Sequence, residues 1–259
     1  MRFRKYITET YQVGHKKYDS DEEGWYDWST NEWPKIRNNI KKVCKPWLSA
    51  IKNCPHKALM RGVRNKDILK DLYFTKTVRQ DRKPLDMRPA ISKVLDDGFE
   101  KAFGWRPRSQ GLFTVKWYST AFSYGTPYMI FPIGDFKFLW SKKIPDLYSG
   151  IGTYPQLMGF EEYPSSNNFD ERDENQQVIW MKSLYTDKLS DLCKAMKEGG
   201  EIMIGCKHYA AVSSLVVRFM RTMKPGSTFN SDFGQWKYFD GQPSSDDEQY
   251  NKFIKGEFF

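Results

Sequence analysis

The stretch TDKLSDLCKAMKEGGEIMI, Thr186 to Ile204, changes its hydrophobic period in mid-course. Leu189, Leu192, Cys193 and Met196 fall at steps of three and four, which places them on one face of a helix over 186–197. Gly199-Gly200 closes that helix, because glycine tolerates the backbone conformations that end one. Glu201-Ile202-Met203-Ile204 then reads as a strand opened by a carboxylate.

Upstream of this unit, residues 161–178 (EEYPSSNNFDERDENQQV) are polar and acidic, long enough for a functional or mobile loop. Leu112-Phe113-Thr114-Val115 and Tyr128-Met129-Ile130-Phe131 read as strands separated by Ser119 to Gly125, with a third short strand expected over Phe136 to Trp140. An amphipathic helix is expected over 90–103, with Ile91, Val94, Leu95, Phe99, Ala102 and Phe103 on one side and Gly104 as its stop. Before it come a short helix over 65–74 and a polar loop over 76–86. Nearer the start, Ile36, Ile40, Val43, Cys44, Trp47, Leu48 and Ile51 make one apolar face of a helix that begins near Pro34 and ends at Cys54-Pro55. Ala58 to Val63 follows as a short apolar strand with Arg61 inside it. Residues 211–223 are apolar with an ambiguous period. Helices come early and strands late, without β-α-β-α alternation, and that order predicts an α+β fold. One domain is expected over 1–259: an aromatic-studded arm at 1–33, a core at 34–225 and a Ser/Asp/Gly-rich tail at 226–259.

Composition narrows the classes. Aromatic residues make up 16% of the 259 positions, too many for a disordered chain. No run approaches the 18 apolar residues of a membrane span, and the opening MRFRKYITETYQVGHKK has no apolar secretory core. Four cysteines (Cys44, Cys54, Cys193 and Cys206) do not make a disulfide framework at this length. They read as reduced thiols, which implies a cytoplasmic, reducing compartment. The net charge of +9 favours anionic partners, but no block of five basic residues exists, so nucleic acid ranks below a plain basic surface.

Several chemistries are excluded by missing motifs. There is no GxxxxGK[ST] loop, no GxGxxG, no HExxH and no GxSxG elbow. Cys54-x-His56 and Cys206-x-His208 form two Cys-x-His pairs, but one intervening residue strains a tetrahedral zinc site, and no metal is expected. Arg79 and Arg82 in TVRQDRKP read as a solvated loop pairing with Asp81 and Asp86, with anion binding as the alternative.

Three features stand in a telling order: Arg61-Gly62 on the strand after a long helix, Phe113-Thr114 on a strand after another helix, and Glu201 opening a strand after a polar loop and a helix. This order resembles the Arg–Ser/Thr–Glu arrangement of the ADP-ribosyltransferase superfamily, which includes bacterial toxins and phage transferases. The resemblance spans roughly residues 58–209. It implies a helical N-terminal part on a mostly antiparallel split sheet and NAD as substrate, with no metal. A protein acceptor is implied, with nucleic acid a lesser option. Glu201 would then stabilise the oxocarbenium-like state of nicotinamide release, and Arg61 would hold phosphates or the ribose edge. Gly62, Phe113 and Thr114 would line the nucleotide site, and Tyr124 and Phe131 would stack on the nicotinamide. The family's aromatic-Ser-Thr-Ser motif is Phe-Thr-Val here, and Gly199 stands where arginine-modifying members carry a glutamate. The opening MRFRKYITE is similar to proteins of large tailed phages, which implies a host cytoplasm or virion as location and a virion or host protein as partner. The competing expectation is a non-enzymatic structural or interaction protein that docks through its aromatic arm and tail.

Overall fold

A computed structural model describes residues 32–64, 72–84, 89–147 and 174–214. Residues 1–31 of the arm expected over 1–33, the segment 65–71, most of the acidic loop at 161–178 and everything from 215 onward, including the tail, lie outside the described residues.

The first helical stretch breaks where the sequence reading ran through. Helix α1 covers Trp33–Val43 and helix α2 covers Lys45–Ala50, with Cys44 out of helical geometry between them. Pro46 is the cause: it lacks an N–H, and its ring collides with the carbonyl one turn back. The break turns Trp47 into the core, where its ring meets Phe136 edge-on at 5.1 Å. Ile36, Ile40 and Cys44 are buried in the same cluster.

Five strands form the sheet: β1 (Met60–Val63), β2 (Tyr73–Thr77), β3 (Leu112–Val115), β4 (Thr126–Trp140) and β5 (Glu201–Ser213). Every pairing is antiparallel. The sheet order is β2-β5-β3-β1-β4, and β4 also pairs with β5 along most of its length. Strands β1, β3, β5 and β4 therefore close into a small ring. Helices with an antiparallel sheet bear out the α+β class. The expected split into two half-sheets is absent among the described strands, because β4 runs beside both β1 and β5.

Three local readings are corrected. Tyr73–Thr77 is a strand paired with β5, where a helix end and a loop were expected; Tyr-Phe-Thr-Lys-Thr has the aromatic and β-branched content that fits a pleated surface. Tyr128–Phe131 and Phe136–Trp140 belong to one 15-residue strand. Its register slips between Ile133 and Phe136, so one extra residue bulges out, and Gly134 at φ +72° supplies the left-handed backbone. Ser119 to Gly125 holds a short helix, α5 (Tyr118–Ser123), in place of a plain connection.

Helix α3 (Pro89–Phe103) forms as its period predicts, and Gly104 follows it at φ +74°. Its Ile91, Leu95 and Phe99 build a second core with Trp105, Leu139, Met181, Leu184, Tyr185 and Met203. Helix α4 (Pro107–Gln110) starts under a carboxylate clamp, since Asp96 accepts the N–H groups of Arg108 and Ser109 at 2.8 and 2.9 Å. Helix α6 (Glu174–Leu184) occupies the end of the stretch expected as a loop. A 3-10 turn (Leu189–Asp191) and helix α7 (Leu192–Glu198) then lead to Gly199-Gly200 and β5, with both glycines at positive φ. No helix among the described residues is long and apolar enough to cross a membrane.

The cysteine reading is also corrected. Cys54 and Cys193 form a disulfide across 139 positions of sequence, while Cys44 and Cys206 are free. Two of the four are thus not thiols, and the inference of a reducing compartment loses its basis. Burial pushes the Cys44 thiol far up and Cys206 to about 12, so neither is a ready nucleophile. With Cys54 bonded to Cys193, the pair Cys54-x-His56 has no thiolate for zinc, and no group of three metal-ligating side chains occurs among the described residues.

Candidate functional site

Glu201 is held by the chain that follows β4. Its N–H donates to the Pro145 carbonyl at 2.6 Å, and its carboxylate accepts the Leu147 N–H at 3.1 Å. Trp140 Nε1 ties the preceding turn by donating to the Gly199 carbonyl at 3.0 Å. The two positive-φ glycines let α7 reverse into β5 without a Cβ clash. Leu147 and Met203 belong to the apolar cluster on this flank. Burial there lifts the Glu201 carboxyl from 4.5 to about 7, with Asp146 adding to the rise while Arg108, the Leu147 N–H and Arg82 oppose it. Near neutral pH this group both gives and accepts a proton.

Strand β3 lies between the strands that carry Arg61 and Glu201. Val115 pairs with Met60 on one side and with Glu201 on the other. Arg61 Nη1 donates to the Phe113 carbonyl at 3.0 Å. Burial lowers the Arg61 pKa. Arg61 and Glu201 therefore stand on the two strands that flank β3. Met60, not Arg61, is level with Val115 and Glu201, so the Arg61 side chain leaves the opposite face of the sheet, the one that carries Tyr128. Both still act electrostatically on Arg82.

Phe113 is half-buried and gathers cations. The Arg82 guanidinium lies 4.4 Å from its ring centroid and that of Arg108 lies 5.1 Å away. Arg82 comes from the loop after β2, fixed by its own N–H to the Ser109 carbonyl at 3.1 Å. Burial, followed by the repulsion of Arg61 and Arg108, brings Arg82 down to about 10, still a cation at neutral pH. Behind them stands Tyr185, whose phenol is raised by burial and then by Glu201, with Arg108 opposing.

Comparison with protein-family models, with curated proteins and with solved structures finds no match. The site is read from its own geometry.

The other expected residues divide. Thr114 is fully buried, and its hydroxyl donates to the Ile202 carbonyl at 2.7 Å, so it braces the strand next to Glu201 and not the carboxylate itself. Gly62 is where β1 and α5 touch: a Cβ there would meet the Ala121 carbonyl oxygen and, at 2.7 Å, the Tyr124 backbone. Tyr124 is about half exposed at the end of α5, beside Gly62. Phe131 is in the main core at 4% exposure, so its ring has no face for a nicotinamide, and that expected role is withdrawn. Arg79 makes the expected exposed ion pair with Asp81 at 3.4 Å. Arg82, assigned to the same solvated loop, instead turns onto Phe113. Arg108 and Tyr185 were missed altogether. A run of Arg106-Pro107-Arg108 just before a strand was the available signal for the first, and nothing in the sequence marked the second.

Proposed function

We propose that this chain is an NAD-dependent ADP-ribosyltransferase of the kind that modifies a protein target. The observation that carries the reading is Glu201 at the start of β5 with Arg82 and Arg108 in its electrostatic neighbourhood, while Arg61, across β3 and on the other face, acts on the site through its charge on Arg82. Breaking the nicotinamide–ribose bond moves positive charge onto the ribose, which an ionised Glu201 stabilises. Arg61, bonded to the Phe113 carbonyl from the other face, braces β3, and its expected role as the nucleotide's fork is withdrawn. The exposed Tyr124 remains the candidate for stacking on the nicotinamide ring. The ring of antiparallel strands departs from a split sheet, and the reading needs only the central trio β1, β3 and β5.

The test is transfer of labelled ADP-ribose from NAD to lysate proteins, with Glu201→Gln as the comparison. Loss of about a hundredfold or more is expected in the variant. A folded wild-type protein that neither transfers ADP-ribose nor hydrolyses NAD removes the reading.

A second reading, a non-enzymatic interaction protein, is favoured by one observation. Trp117, Tyr118, Phe122 and Tyr124, on and beside α5, are all more than a third exposed, and the Tyr118 and Phe122 rings stack on each other. Aromatic clusters of this kind anchor protein interfaces. A strictly monomeric protein that turns over NAD would exclude it.

A further inference from the structure

Three buried polar atoms near Glu201 have no hydrogen-bond partner among the described residues: Arg82 Nη1, Arg108 Nε and the Tyr185 hydroxyl. Tyr185 is 5% exposed, so its hydroxyl has given up water and received nothing in return. It lies within the electrostatic reach of Arg108, Glu201 and Asp146. Arg82 and Arg108 share the Phe113 ring, and neither is in an ion pair among the described residues. Two cations beside a third, Arg61, repel one another where burial weakens water's screening. Leaving such donors unpaired is costly, and an anion placed between them removes both the repulsion and the unmet hydrogen bonds.

We propose that Arg82, Arg108 and the Tyr185 hydroxyl form a binding site for a phosphoryl group beside the Phe113 ring, next to Glu201. The donor count selects the ligand. Two guanidinium forks and a phenol offer more N–H and O–H groups than the two oxygens of a carboxylate can accept, whereas a phosphoryl group presents three or four. Guanidinium geometry matches phosphate oxygens two at a time. Arg82, Arg108 and Phe113 are each only partly buried, which leaves the cluster a route to solvent. Asp96 anchors the backbone of Arg108 and Ser109 through one N–H of each, the Ser109 carbonyl accepts the Arg82 N–H, and both guanidinium groups rest on the Phe113 ring, so the two arginines start from fixed backbone on a shared ring. The site stands on these atoms whatever nucleotide chemistry accompanies it, since free phosphate and the phosphate of a nucleotide present the same oxygens.

The experiment is calorimetric titration of the full chain with inorganic phosphate, pyrophosphate, AMP and ADP-ribose at constant ionic strength, with chloride as the control anion. Arg82→Gln, Arg108→Gln and Tyr185→Phe are compared, each first shown to unfold cooperatively. We expect phosphate to bind in preference to chloride, each arginine variant to weaken it tenfold or more, and Tyr185→Phe to weaken it about threefold. Tighter binding of AMP or ADP-ribose than of phosphate identifies a nucleotide as the source, and equal binding identifies the free ion. Phosphate binding by a protein with no NAD turnover upholds this site while removing the transferase reading. Equal phosphate binding by wild type and all three folded variants, or none by wild type, overturns the proposal.

Discussion

Replacing Glu201 by glutamine separates the charge of this residue from its shape. The amide keeps an oxygen to accept the Leu147 N–H, and it cannot ionise. In the unfolded chain Glu201 titrates near 4.5, and in the folded protein burial moves it to about 7. Between those values the folded state holds more protons than the unfolded state, so stability falls as pH rises through the window. The penalty is absent below 4.5 and complete above about 7. A tenfold change in proton affinity is about 1.4 kcal/mol, so the loss amounts to about 3 kcal/mol. Urea unfolding of wild type and Glu201→Gln from pH 4.5 to 8 measures it, because every other titrating group is common to both and cancels in the difference. The wild type is expected to lose about 3 kcal/mol relative to the variant across that range. Parallel stability curves would mean that the carboxylate is as well solvated folded as unfolded, and the description of its surroundings would be wrong.

Three further outcomes follow from other elements. Reducing the Cys54–Cys193 bond frees a loop spanning 139 positions, and stability should drop by about 2–5 kcal/mol, read by denaturant titration with and without dithiothreitol; identical midpoints would show that the bond is not formed in solution. Gly62→Ala forces a Cβ into the Ala121 and Tyr124 backbone and should cost about 1–3 kcal/mol, seen as a lower Tm. A variant as stable as wild type would mean that β1 and α5 are not in close contact. Thr114→Val removes the bond to the Ile202 carbonyl, and a loss of about 1 kcal/mol is expected. Any NAD turnover should stay within about twofold, and its collapse in a folded variant would place the hydroxyl in the site.

What could be read from the sequence followed from local signals. Helix α3, strand β3 and the Gly199-Gly200 reversal into Glu201 are each specified by a few adjacent residues, through period and glycine conformation. Pro46 was legible as a breaker, but the apolar spacing of Ile36 to Ile51 runs through it and masks the break at Cys44. Gly134-Asp135 looks like a turn between strands, because a bulge and a turn use the same residue types and only the partner strand tells them apart. Strand β2 is polar enough to pass for a loop, with Lys76 and Thr77 exposed, and its pairing with β5 is what makes it a strand. Within the site, Glu201 and Arg61 could be ordered along the chain. The convergence of Arg82, Arg108 and Tyr185 comes from three separate elements meeting around Phe113, which linear spacing does not encode. Nor does spacing encode which cysteines meet.

The disulfide also changes what a cut in the backbone does. Cys54 precedes Arg61 by a short run, and Cys193 precedes Glu201 by another, so the bond joins the chain just ahead of both strands. The whole of the acidic stretch at 161–178 lies within the covalent circle that this bond closes. A protease that nicks the chain anywhere between the two cysteines produces two polypeptides that stay linked, and a nick within 161–178 leaves Arg82 and Arg108 on one and Tyr185 and Glu201 on the other. Such a nicked protein would migrate as one species without reductant and as two with it, and the pieces could separate only after the sulfurs part.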